Sequence, residues 1–158
     1  MISEFERLSN SEVELMLKAP ILACILIAGA DNQIDNTEIR ESIEMAKIKH
    51  KKYKSSPLAK FYLIASEDFE DKLKIVLQSY PFEAAKRNPL IVEELSQLSQ
   101  VLPKLERQFA IDYYNSLKDI AHRIAESSGG LLGINSIGEE ESSLMNMPMI
   151  KDPSKDKL

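Results

Sequence analysis

Apolar residues recur along most of this chain at steps of three and four positions, the periodicity of helices with one buried face. The most regular stripe runs from Leu105 to Ile124, and Pro103 suits the first position of the helix that carries it. The stripe consists of Leu105, Phe109, Tyr113, Leu117, Ile120 and Ile124. It predicts a long central helix over 103–127, ended by the Ser-Ser-Gly-Gly run that finishes at Gly130.

A second helix is predicted to lie inside the protein. The run from Ile21 to Ala30 is apolar on every side, which is typical of a helix surrounded by others. A more polar helix is expected to start near Asn10 and to lead into this run. Pro20 lacks a backbone donor, so we expect a kink there, or a break with a restart. Cys24 lies in the apolar run and is predicted to be a buried small side chain.

Shorter amphipathic patterns complete the predicted architecture, and no strand pattern is convincing. They cover about 36–52, 58–65, 68–79, 90–102 and 139–147. The predicted fold is therefore all-α: a compact single-domain bundle of about seven helices over residues 1–147. The polar tail, 148–158, is predicted to be disordered.

Composition agrees with one ordinary globular domain. The 158 residues are 44% hydrophobic and 28% charged, without tryptophan. A formal charge of −5 argues against nucleic acid as a partner, because phosphate binding needs a basic surface. The run Ile21–Ala30 is too short to cross a bilayer and no signal peptide is visible, so we expect no membrane insertion. A single cysteine cannot form an internal disulfide, which favours a cytoplasmic location.

The densest candidate chemistry is an acidic turn after the apolar helix. Asp31, Asp35 and Glu38 lie within eight residues of one another. Carboxylate oxygens are the ligands that hard cations such as calcium and magnesium prefer. The spacing is not that of an EF-hand, so a cation site here needs further ligands from elsewhere in the fold.

A second acidic segment near the C-terminus resembles this turn and supplies candidates. Ala28 aligns with Ala125, and after a longer loop Ile34 aligns with Ile137. The corresponding acids are Glu139, Glu140 and Glu141. This internal similarity between the two acidic segments, called the sequence echo below, predicts that the chain consists of two related helical halves. The alternative is a chance similarity between helix–turn–helix segments.

Helix capping explains the same acids without any ligand. Asp35 followed three residues later by Glu38 fits the capping-box pattern, in which each side chain bonds a free backbone amide. Asp31 would stabilise the preceding turn. Capping and cation binding both remain open at this point.

The acidic turn resembles the signature of the tellurite-resistance TerB-like family. That family is all-α and carries an Ala-Asp-Gly-x-Ile-Asp-x-x-Glu type of motif in its first half. Here the motif is Ala30-Asp31-Asn32-Gln33-Ile34-Asp35-Asn36-Thr37-Glu38. The resemblance covers most of 21–147, and it departs from the family pattern at Asn32, which replaces Gly, and at Ser128, where a second-half Asp is common. It implies a helical bundle with clustered acids, metal binding and a bacterial stress-response setting.

Three functions are compatible with these features. The first is a non-catalytic TerB-like domain that binds a divalent cation through Asp31, Asp35 and Glu38, with the glutamates at 139–141 contributing. The second is an interaction module in which an acidic surface meets a basic protein partner and the turn acids are caps. The third is a metal-dependent hydrolase, which the sequence favours least because a solvated turn does not separate the pKa values of paired carboxylates. No heptad seam is long enough to predict the oligomeric state.

Overall fold

The computed structural model describes residues 3–28, 40, 43–44, 56–132 and 144–155, except for the side chains of 28, 69 and 127–132. Within these ranges every regular element is helical and no strand occurs, which confirms the all-α prediction. The helices are α1 (Asn10–Ala28), α2 (Pro57–Ser66), α3 (Phe69–Gln78), α4 (Ala84–Ser96), α5 (Leu98–Val101) and α6 (Arg107–Leu132). Short 3-10 turns cover Ser3–Phe5, Leu102–Lys104 and Pro153–Lys155. The expected total of seven helices stays a prediction, because most of 29–55 and all of 133–143 lie outside the described residues.

Helix α1 begins with a reciprocal cap. The Glu12 amide donates to Ser9 Oγ over 3.2 Å, and the Ser9 amide donates to Glu12 Oε1 over 2.9 Å. These bonds satisfy amides that have no partner inside the helix. Beyond the first turns, the side chains from Ile21 to Ile27 are all buried, including Cys24. The predictions of an interior helix and a buried cysteine are therefore confirmed.

Of the two alternatives predicted at Pro20, a kink or a break, the break is wrong, because α1 runs without interruption from Asn10 to Ala28. Proline has no N–H to donate to the carbonyl four residues earlier, which is that of Met16. The Tyr113 hydroxyl donates to Met16 O over 2.7 Å in the buried interior. A side chain from α6 thus supplies the hydrogen bond that the helix backbone lacks.

Helix α6 carries five of the six residues of the predicted stripe, Leu105 lies just before it, and all six are buried. Its start differs from the prediction. The Glu106 carboxylate accepts from the amides of Gln108 and Phe109 over 3.0 and 2.9 Å, so the helix begins at Arg107, while Pro103 lies in the preceding 3-10 turn. Its end differs as well, because the backbone stays helical through Gly129 and Gly130 to Leu132.

One continuous core joins these elements. Helix α1 packs most extensively on α6, with α4, α3 and α2 also in contact with it. Aromatic rings meet edge to face where α2 meets α6, with Phe61 and Tyr113 centroids 5.3 Å apart. The inner face predicted for 90–102 is buried as expected, at Ile91, Leu95, Leu98 and Val101.

The C-terminal segment differs from the predicted disordered tail. Met147, Ile150 and Pro153 are buried, the first two in the main core cluster. The Lys151 amide donates to Ser99 Oγ over 2.8 Å. The prediction of disorder relied on the polar composition of the segment. Its two apolar residues and its proline, at a spacing of three, are nevertheless buried. Residues 156–158 lie outside the described part.

Candidate functional site

The six predicted cation ligands all lie outside the described residues. They are Asp31, Asp35, Glu38, Glu139, Glu140 and Glu141. Their geometry, and the capping alternative for the first three, therefore stay predictions. The structure does fix the ends of the helices from which both acidic segments depart, and these ends constrain where a site can form.

The first acidic segment has an anchored point on each side. Before it, α1 ends at Ala28 after a fully buried run. After it, Ile43 is buried in the core, and the Arg40 guanidinium forms an ion pair with Glu70 in the first turn of α3. The described residues on either side of the segment, Ile27 and Ile43, are thus both in the core.

Helices α1 and α6 run in the same general direction. Near their starts, Lys104 Nζ pairs with Glu12 Oε2 at 2.7 Å, and further along the Tyr113 hydroxyl meets Met16 O. An antiparallel pair with the Tyr113 contact would hold Lys104 and Glu12 more than about 15 Å apart along the axes, given a rise of about 1.5 Å per residue. The C-terminal ends of both helices consequently point toward the same end of the bundle.

One of these two contacts has the residue separation of the sequence echo, whereas Lys104 and Glu12 are 92 residues apart. Tyr113 and Met16 are separated by 97 residues. The same separation joins Ala28 and Ala125, the pair that starts the aligned acidic segments. Because parallel helices advance equally per residue, Ala28 and Ala125 are expected at a similar height along the bundle. Helix α6 then continues to Leu132 before the second segment begins.

The described residues contain no candidate metal centre. Within them no group of three or more His, Cys, Asp or Glu side chains is arranged to hold an ion. His122 is exposed, and its Nε2 lies 3.2 Å from Asn146 Oδ1. His50 lies outside the described part.

Buried hydroxyls form a polar network between α2 and α6. Ser116 Oγ donates to Tyr113 O over 2.6 Å, so the Tyr62 hydroxyl, 2.6 Å from Ser116 Oγ, is the donor in that pair. Burial raises the pKa of Tyr62 and of Tyr113, and it also raises the pKa of the Cys24 thiol. A thiol held neutral in this way is a poor nucleophile. The network has a structural role and does not form a reactive site.

A groove lies between α1 and α3. Leu17, Ile21, Ile75 and Val76 line its apolar floor, with three charged residues, Glu14, Lys18 and Lys72, at its rim. Its volume is about 240 Å³. The groove is small for a drug-sized molecule and suits a few apolar side chains.

A polar cluster borders this groove and was not predicted from the sequence. Lys18 Nζ lies 2.7 Å from Glu94 Oε1 and 5.1 Å from the ring centre of Tyr80. The Tyr80 hydroxyl donates to Glu94 Oε2. No spacing within the chain links Lys18 to Glu94, so only the packing of α1 on α4 could reveal the cluster.

Large apolar side chains are exposed at several places: Leu63 on α2, Ile75 on α3, Phe82 in the loop between α3 and α4, and Leu90 on α4. Phe82 is 78% exposed and Ile75 63%, with Leu63 and Leu90 close to half exposed. Single exposed apolar residues are ordinary on soluble domains, but Ile75 belongs to the wall of the groove. This surface is the second candidate site, as a place where another protein could pack.

Comparisons with known proteins identify no relative. No protein-family model, curated protein or solved structure matches the chain. In the part of the chain that the structure describes, no helix is long and apolar enough to cross a bilayer.

Proposed function

We propose that the protein is a non-catalytic TerB-like helical domain that binds a divalent cation, calcium or magnesium, at an acidic corner of the bundle. Asp31, Asp35 and Glu38 are the primary ligands. The second acidic segment contributes from the other half of the chain, through Glu139, Glu140 and Glu141. The setting we propose is a bacterial stress response, in keeping with the resemblance of the Ala30–Glu38 motif.

One observation supports this proposal above the others. The helices that precede the two acidic segments run in the same general direction, and one contact between them, from Tyr113 to Met16, has the 97-residue separation of the sequence echo. We infer that both segments start from one end of the bundle. Carboxylates from two segments can supply the six to eight oxygen ligands that calcium takes with fewer backbone carbonyls and waters than three acids from one turn would need.

Calorimetric titration with calcium, magnesium, manganese and zinc tests the proposal. We expect a dissociation constant below about 1 mM for calcium or magnesium. The double variant Asp35→Asn/Glu38→Gln should abolish binding. Its control is Glu67→Gln/Glu93→Gln, which removes the same charge from two exposed positions and should leave binding unchanged. Absence of heat in the unaltered protein up to millimolar cation, or equal loss in both variants, would reject the site.

The second candidate function is protein–protein interaction, which the exposed groove between α1 and α3 favours. Under this alternative the acids of the turn are helix caps. Replacing Asp35 by Ala should then lower the free energy of unfolding by about 1 kcal/mol, and added cation should change neither the wild type nor the variant. A cation-dependent rise in the melting temperature of the wild type alone would favour the first function.

A further inference from the structure

The groove between α1 and α3 carries three charged residues at its rim, and they differ in how they are paired. Lys18 is neutralised within the molecule, because its ammonium forms an ion pair with Glu94 over 2.7 Å. Glu14 and Lys72 form no ion pair with each other or with any other residue that the structure describes. Lys72 donates one hydrogen bond, to Ile64 O over 3.1 Å, which leaves two N–H groups of its ammonium for another acceptor. The groove therefore offers one carboxylate and one ammonium to a partner.

The apolar part of the same surface has both a depression and a projection. The depression encloses about 240 Å³ and is lined by Leu17, Ile21 and Val76. Ile75 also lines it, and at 63% exposure most of this large aliphatic side chain projects into solvent. A volume of this size is below that of a drug-sized ligand site and suits aliphatic side chains from another molecule.

Together these features make the surface self-complementary. In a twofold dimer the same patch of both chains forms the contact, so residue i of one chain meets residue j of the other, and j meets i. Such a patch must contain both partners of every contact. The groove does so, since it carries a projecting aliphatic side chain beside an apolar depression, and an acid as well as a base.

The distribution of charge also favours a second copy of the chain at this groove. Two copies of a chain with a formal charge of −5 repel each other, so a contact between them needs a region without excess negative charge. At the groove Glu14 balances Lys72, and Glu94 balances Lys18. These four charges cancel, and in a twofold contact each unpaired charge can face one of opposite sign.

We propose that the groove between α1 and α3 is a homodimer interface, occupied by a second copy of the chain packed about a twofold axis. Ile75 of each chain enters the groove of the other, and Glu14 of each chain pairs with Lys72 of the other. The area is small for a stable dimer, so the dissociation constant is roughly 100 µM, in the range of weak and transient contacts. The proposal rests on the second candidate function, the use of the groove for protein–protein interaction, and it does not involve the acidic corner.

Charge reversal, followed by sedimentation equilibrium of the full-length chain, tests the pairing. The mass of the unaltered chain should rise from 17.9 kDa toward twice that value between about 10 and 500 µM. Glu14→Lys and Lys72→Glu should each weaken dimerisation at least about tenfold, because each places like charges at both symmetry-related contacts. An equimolar mixture of the two variants should form a heterodimer, since every contact then joins opposite charges. The double variant Glu14→Lys/Lys72→Glu should dimerise like the unaltered chain.

Matched controls separate the interface from general effects of charge and hydrophobicity. Glu93→Lys and Lys86→Glu make the same changes in charge at exposed positions of α4, and they should leave the dissociation constant unchanged. Ile75→Asp should abolish dimerisation, whereas Leu90→Asp, at an exposed aliphatic residue outside the groove, should not.

The same measurements can overturn the proposal. A chain that stays at 17.9 kDa up to about 500 µM would do so. So would a dimer that both charge reversals leave intact, or single variants that do not associate with each other when mixed. Asp35→Asn/Glu38→Gln should leave dimerisation unchanged, so the outcome for the cation site is a separate result. The effects of cation and of Asp35→Ala on stability decide the second candidate function independently of the mass of the chain.

Discussion

The Tyr113 hydroxyl donates a hydrogen bond to Met16 O, the carbonyl that Pro20 leaves without a helical donor. Both groups are buried, and the bond is 2.7 Å long. An unpaired carbonyl at this depth would carry its full desolvation cost. The same contact fixes the register of α1 on α6, so it both permits a proline in the central helix and sets where the ends of the two helices lie.

Replacing Tyr113 by Phe should lower the free energy of unfolding by about 1–3 kcal/mol, because Met16 O then has no donor. In a Pro20→Ala background the restored amide can bond Met16 O. In this background Tyr113→Phe should lower the free energy of unfolding by about 1 kcal/mol less than it does with Pro20 present. A double-mutant cycle with urea unfolding measures this difference. Tyr114→Phe, which removes a different hydroxyl of α6, should show no such coupling to position 20. An equal cost of Tyr113→Phe in both backgrounds would disprove the compensation.

The direction of the hydrogen bonds around Ser116 predicts unequal effects for its two partners. Ser116→Ala removes both hydrogen bonds of the buried Ser116 hydroxyl, to Tyr62 and to Tyr113 O, and should cost about 1–3 kcal/mol. Tyr62→Phe leaves the bond from Ser116 Oγ to Tyr113 O intact and should cost closer to 1 kcal/mol. Chemical denaturation of both variants measures the order. A larger loss for Tyr62→Phe would reverse the assigned donor and acceptor.

Stability should fall at alkaline pH in two stages. Burial raises the pKa of Cys24, Tyr62 and Tyr113 above their ordinary values, so the unfolded chain releases these protons first. The stability that each group contributes is complete below its unfolded pKa and declines as pH rises above it. The loss begins above about pH 8.5 from the thiol and steepens above about pH 10 from the two phenols.

Urea unfolding at several pH values checks this dependence. Between pH 8.5 and 10 the free energy of unfolding should fall by up to about 1.4 kcal/mol per pH unit, the value for one released proton. Cys24→Ala should remove most of this first decline and leave the steeper one above pH 10. A Cys24→Ala variant with an unchanged pH profile would show that the thiol does not control the first stage.

A left-handed residue before α3 predicts a reversal of the usual preference for alanine over glycine. Asp68 has φ = 51° and makes no side-chain cap bond. At this position Gly should give a protein about 1 kcal/mol more stable than Ala, because a Cβ atom is unfavourable in this conformation. At Lys74, exposed within the same helix, Ala should be the more stable by about 0.5–1 kcal/mol. Thermal unfolding of the four variants compares them, and the same preference at both sites would contradict the assigned backbone.

Periodicity predicted much of the helical architecture because burial of one face is a local property of the sequence. The stripe from Leu105 to Ile124 and the apolar run from Ile21 are core as expected. The sequence left a kink and a break open at Pro20, and it could not show that Tyr113, far away in sequence, bonds the carbonyl that the proline leaves without a donor. Composition also did not predict that Ile150 and Pro153 in the tail are buried, because their burial depends on a surface that α6 provides.

The candidate site could be predicted less completely. Carboxylate types and their spacing are visible in the sequence, but whether two acidic segments meet is a matter of packing. The contact of Met16 with Tyr113 adds that the helices before the two segments point toward the same end of the bundle. The cluster of Lys18, Tyr80 and Glu94 was invisible beforehand, because its members come from distant parts of the chain.

The most direct test of the account is paramagnetic broadening by manganese in amide NMR spectra, with calcium as the diamagnetic control. If both acidic segments hold one cation, small amounts of manganese should broaden the Ile27 and Ile124 signals together, while those of Lys104 and Ser154 remain sharp. Asp35→Asn/Glu38→Gln should abolish both effects. Broadening near only one helix end, or none up to millimolar manganese, would contradict a shared site at this end of the bundle.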